Sequence, residues 1–137
     1  MPTTINEALR VANLKPDGVV KWGNTIPTSK SGVYIVSLTD DIDSFNGTLH
    51  SAPLSKTVFD KWLSVCPNLT LDGHKPDPDK LMERIQSFWL PDEVILYIGK
   101  ATSLSSRVNQ YYRTPIGARS PHSGGYFLKL LSNIDDL

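Results

Sequence analysis

Cysteine is nearly absent from this 137-residue sequence: Cys66 stands alone, which excludes an internal disulfide and any cysteine-rich zinc site. It falls in the helical pattern of Trp62 and Val65 with no base beside it, and is expected to be packing filler. No apolar run reaches membrane-spanning length and the N-terminus lacks the basic-then-apolar order of a leader, so the expectation is a cytoplasmic chain with no membrane partner. Net charge is lacking too, with 14 Lys and Arg against 14 Asp and Glu. Evenly spread, that balance would argue against a nucleic-acid partner. The charges are segregated instead: 39–93 holds ten acidic and five basic residues, whereas 94–131 holds Lys100, Arg107, Arg113, Arg119 and Lys129 and no acidic residue. A basic face on that half is compatible with overall neutrality.

What is present centres on residues 94–113, VILYIGKATSLSSRVNQYYR. The β-branched apolar start reads as a buried strand, broken by Gly99 before a polar turn. Thr102 or Ser103 then caps a helix in which Leu104, Val108 and Tyr111 or Tyr112 recur at helical spacing, and Thr114-Pro115 stops it. Arg107 and Tyr111, four apart, project from one side. A lysine, an arginine and tyrosines thus surround a strand end and a helix start, where free backbone N–H groups favour anions.

Upstream, 31–36 reads as a second apolar strand, with Tyr34 and Val36 on one face and Val33 and Ile35 on the other. Gly32-Val33-Tyr34 here and Tyr97-Ile98-Gly99 downstream, followed by Lys100-Ala101, Leu104, Arg107-Val108 and Tyr111, resemble the paired signature of the GIY-YIG nuclease family, at the spacing found in the nuclease domain of bacterial nucleotide-excision repair. The resemblance implies an α+β fold: a small, mainly antiparallel three-stranded sheet flanked by helices, holding Tyr34 and Tyr97 side by side. It also implies a DNA endonuclease that hydrolyses phosphodiester bonds with one divalent ion, Mg2+ or Mn2+. Tyr97, or less favourably Tyr34, would orient or deprotonate the attacking water. A phenol is a weak base at its usual pKa of about 10, so Lys100 and the ion would stabilise the phenolate. Arg107 would clamp the scissile phosphate, Tyr111 would hold a phosphate oxygen or an ion-bound water, and Gly99 would let the backbone approach substrate.

The family's ion-binding glutamate has no counterpart, since no glutamate follows Glu93. The expectation is a ligating glutamate beyond the end of this chain. The alternative is a non-catalytic nucleic-acid-binding module that retains the phosphate pocket.

The length suits a single domain over 1–137, comprising an N-terminal helical arm (1–30) and a helical insertion (39–93) between the signature strands. In the arm, Thr4 and Glu7 are spaced as a capping box, 19–22 reads as a short edge strand and Trp22 as an anchor. Asp40, Asp41 and Asp43 lack the pattern of a calcium loop and read as solvated. The insertion predicts one helix over 55–66 with Val58, Trp62 and Val65 inward, and a second from 78 or 79 through 89 with Leu81, Ile85 and Phe88 inward. His74 stands alone among prolines and is placed on the surface. Beyond the motif helix, Arg113 and the glycine-rich loop 115–125 with Arg119 and His122 supply further substrate contacts, a helix is expected from about 125 to 131, and 133–137 reads as the start of another strand.

Overall fold

Two apolar strands, β1 (Gly32–Ser37) and β2 (Ile95–Ala101), pair antiparallel in the computed structural model, which describes residues 3–118 and 125–137. Tyr34 stands opposite Gly99, Ile35 opposite Ile98 and Val36 opposite Tyr97, so alternation brings Tyr34 and Tyr97 to one face. An irregularity after Val36 shifts the register, and Leu38 N–H then donates to Val94 O at 2.8 Å. The two ends of the insertion are thereby held together as the arms of a hairpin would be. The 57 residues from 38 to 94 can sit between paired strands because closure entropy grows only slowly with length.

Four helices complete an α+β fold: α1 (Ile5–Val11), α2 (Lys56–Val65), α3 (Pro78–Gln86) and α4 (Leu104–Arg113). The capping box of α1 forms as read, with Thr4 Oγ1 accepting from Glu7 N–H and the Glu7 carboxylate accepting from Thr4 N–H, each at 3.1 Å. Asp77 caps α3 by accepting from Lys80 N–H at 2.8 Å, with Pro78 at the first helical position.

The core has two parts. Under the sheet, α4 buries Val108 and Tyr111 against Tyr34, with Leu128 and Leu131 beside them. In the insertion, Phe59 and Trp62 of α2 meet Leu81 of α3, Ile116 and Leu130. Leu54 and Phe127 touch both clusters and join them. The inward residues differ from those predicted at two places: Val65 is exposed because Phe59 and Trp62 define the buried stripe, and Phe88 is 69% exposed because α3 ends two residues earlier.

The expected three-stranded sheet is a two-stranded one among the described residues. Residues 133–137, read as a strand start, instead form a 3-10 turn, Ile134–Asp136, in which Asp136 N–H donates to Asn133 O at 2.9 Å. A 3-10 turn closes on its own backbone and needs no partner strand. The helix expected over 125–131 is the 3-10 segment Tyr126–Leu130. Residues 19–22 are irregular, and Trp22 N–H donates to Leu137 O at 2.7 Å.

The insertion docks beside this 3-10 segment, with Ser55 N–H donating to Leu130 O at 2.8 Å and Ser132 N–H to Pro53 O at 2.6 Å. It does not cover the outer face of the sheet, where Val33 is 36% and Ile98 54% exposed. No helix is long and apolar enough to cross a membrane among the described residues.

Candidate functional site

Tyr34 and Tyr97 converge because their strands pair in register and α4 closes over the shared face. Their ring centroids lie 6.0 Å apart, and Tyr111 of α4 completes a triangle at 6.4 Å from Tyr34 and 5.6 Å from Tyr97. Arg107, one turn before Tyr111, hydrogen-bonds to Tyr34, and Tyr34 hydrogen-bonds to Tyr97. The spatial core of the motif, two phenols beside a guanidinium, is therefore assembled.

Burial pushes the Tyr34 hydroxyl up to about 12; its closeness to and hydrogen bond with Tyr97 add to this, and Arg107 opposes it. Tyr34 is thus held protonated well beyond the physiological range. Tyr111 is only 1% exposed, its hydroxyl donates to Gly125 O, and burial raises its pKa further. In this geometry Tyr111 is a packing post; the hydroxyl that the resemblance implied would hold a phosphate oxygen or an ion-bound water is not presented to solvent. Gly125 accepts this close approach at φ +62, where a Cβ would run into the Tyr111 hydroxyl and the Tyr97 ring. Lys129 Nζ sits 5.5 Å from the centroid of the Tyr111 ring, and burial lowers its pKa.

A cavity of about 360 Å³ opens at the end of β2, lined by Lys100, Thr102, Ser103, Ser106, Arg107 and Gln110. Arg107 Nη1 donates to Gln110 Oε1 at 3.2 Å, a bond that steadies the guanidinium at the cavity wall. Two cations, three hydroxyls and an amide, without a carboxylate, make an anion-binding lining. Ser103, Arg107 and Gln110 follow the i, i+4, i+7 spacing of one helix face; the resemblance singles out only Arg107, and this spacing is the signal that pairs Gln110 with it.

Two expectations change. Alternation on β2 puts Lys100 on the face opposite Tyr97, so Lys100 shares the cavity with Arg107 rather than stabilising a Tyr97 phenolate. The start of α4 is also not an open nest for anions: Leu104 N–H donates to Lys30 O and Ser105 N–H to Thr28 O, each at 3.0 Å. Gly99 has a packing reason for its missing side chain, since a Cβ there would overlap the Tyr34 ring. Arg113 lies outside this cavity, in a neighbouring one. Arg119 and His122 fall outside the described residues.

The Mg2+ or Mn2+ ion implied by the resemblance has no donor set here. Among the described residues no three His, Cys, Asp or Glu side chains group together, and the lining beside Arg107 offers cations and neutral groups. The described residues do not fit a divalent ion. Comparison with protein-family models, with curated proteins and with solved structures finds no match to this chain.

Proposed function

We propose that this chain is a GIY-YIG-type domain that grips a DNA phosphodiester at the Lys100–Arg107 cavity and acts as an endonuclease on it. One observation carries the reading: an acid-free cavity in which Arg107, steadied by Gln110, stands beside the Tyr34–Tyr97 pair. A fork of N–H donors matches two phosphoryl oxygens at once, and Lys100 adds a second positive charge at the same wall. In hydrolysis, water attacks phosphorus opposite the leaving oxygen; Tyr97 takes part in orienting that water, while Arg107 and Lys100 offset the charge gathering on the phosphoryl oxygens. Tyr34, held protonated, keeps Tyr97 and Arg107 in place by hydrogen bonding to both.

A second reading, a binding module that holds the strand without cutting it, draws on the missing donor set for a divalent ion among the described residues. The test is a pair of measurements on the chain, affinity for a labelled oligonucleotide and nicking of supercoiled plasmid with Mg2+ or Mn2+. Arg107→Ala is expected to lower affinity at least tenfold, without rescue by Arg107→Lys, whose point charge cannot reproduce the fork. Unchanged affinity in Arg107→Ala overturns both readings. Nicking that Tyr97→Phe abolishes while binding persists supports the endonuclease; Arg107-dependent binding without nicking supports the module.

A further inference from the structure

Ser106 lines two cavities. The second, of about 490 Å³, is bounded by Gly23, Ser106, Asn109, Tyr112 and Arg113, and so lies directly beside the Lys100–Arg107 cavity. Ser106, Asn109 and Arg113 fall at i, i+3 and i+7 of α4, a stripe adjoining the Ser103–Arg107–Gln110 stripe. Residues 94–131 carry no acid, so the two stripes form one continuous polar face with no negative side chain of its own.

The far wall of the second cavity belongs to the N-terminal arm and is firmly held. Trp22 packs edge-on against Tyr111 at 5.0 Å and Tyr112 at 4.9 Å between ring centroids, and Tyr112 Oη donates to Asn24 O at 2.9 Å. Gly23 between them, at φ +90, leaves the space in front of it open. Arg113 directs Nε to Asn109 O at 3.4 Å and has no carboxylate partner for its two terminal nitrogens among the described residues.

We propose that this second cavity is a subsite for a further backbone phosphate of the same nucleic-acid strand. Arg113 pairs with that phosphate, Ser106 and Asn109 hydrogen-bond the sugar-phosphate oxygens between the sites, and the strand runs along α4. The inference rests on the reading of the Lys100–Arg107 cavity as a phosphodiester site. Six residues of α-helix rise about 9 Å, and successive phosphates of one strand advance about 3.4 Å, so roughly three nucleotides separate the two arginines. The arm then serves as the outer bank of the binding path, a role its packing alone does not require.

Binding of labelled oligothymidylates of increasing length, each over a range of salt concentrations, tests this. For strands long enough to reach both cavities, Arg113→Ala is expected to weaken binding about fivefold to tenfold and to lower the salt slope by about one unit. A dinucleotide, which fills only the first site, should bind Arg113→Ala and the wild type alike, and Arg113→Lys should retain most of the long-strand affinity. Loss of dinucleotide binding in Arg113→Ala, or wild-type affinity and slope with long strands, overturns the second subsite. If Arg107→Ala weakens both lengths while Arg113→Ala changes nothing, the second subsite alone falls. If Arg107→Ala also changes nothing, the phosphodiester reading itself fails.

Discussion

The ring of Tyr34 occupies the space that a side chain on Gly99 would need. The two residues are register partners across β1 and β2, and a Cβ on Gly99 would overlap the hydroxyl end of the phenol. The glycine of the downstream tripeptide is thus explained by the tyrosine of the upstream one. Gly99→Ala should cost about 1–3 kcal/mol of stability, as overpacking does. In a Tyr34→Ala background the same substitution should cost far less, and urea unfolding of the four proteins closes the cycle. Equal costs in both backgrounds would show that the two residues do not compete for space.

Alkaline pH should weaken the fold through its buried phenols. Tyr34 is raised to about 12 in the native state against 10.0 in the open chain, and burial raises Tyr111 and Tyr112 in the same direction. Above pH 10 the unfolded chain has released these protons while the native one still holds them, so stability is full below pH 10 and falls between 10 and 12. Unfolding free energy measured from pH 8 to 11 should bend downward near 10, less so in Tyr34→Phe. A flat profile would contradict the burial described for Tyr34.

Tyr111→Phe separates packing from substrate contact. The hydroxyl of Tyr111 is given to Gly125 O in a nearly inaccessible position. Its removal should lower stability by about 1 kcal/mol and leave oligonucleotide affinity as in the wild type. Reduced affinity at unchanged stability would restore the substrate contact that the motif suggested.

One side chain ties two parts of the insertion to each other. Gln86 Nε2 donates to Ala52 O at 2.6 Å and Gln86 Oε1 accepts from Ala52 N–H at 2.8 Å, closing a two-bond clamp on a buried residue. Gln86→Met leaves both backbone groups of Ala52 unpaired and should cost about 1–3 kcal/mol. Gln86→Glu keeps an acceptor for the N–H but sets a carboxylate against the carbonyl, and should recover only part of that. Thermal unfolding of the three proteins, with Gln86→Met as stable as the wild type, would refute the clamp.

Local patterns in the chain determined a good deal by themselves. The Thr4–Glu7 capping box, the strand around Tyr34, the 3.6-residue rhythm of α4 and the stop at Thr114-Pro115 are set by neighbouring residues and form as their patterns predict, whereas the strand around Tyr97, expected to break at Gly99, runs on through it to Ala101 because Tyr34 and Val33 supply partners there. The side-by-side placement of Tyr34 and Tyr97 came from a resemblance between two short stretches, and pairing of the strands realises it. Other features depended on which distant groups meet. Nothing within α4 says that its first amides are taken by Lys30 O and Thr28 O, and nothing near Tyr111 says that its hydroxyl ends on Gly125 O. Residues 133–137, expected to start a strand, form a 3-10 turn, because a strand requires a neighbour's ladder and a 3-10 turn satisfies itself. Periodicity decides which way a side chain faces; only the folded chain decides what stands opposite it, since hydrogen-bond partners and buried neighbours are selected by long-range packing.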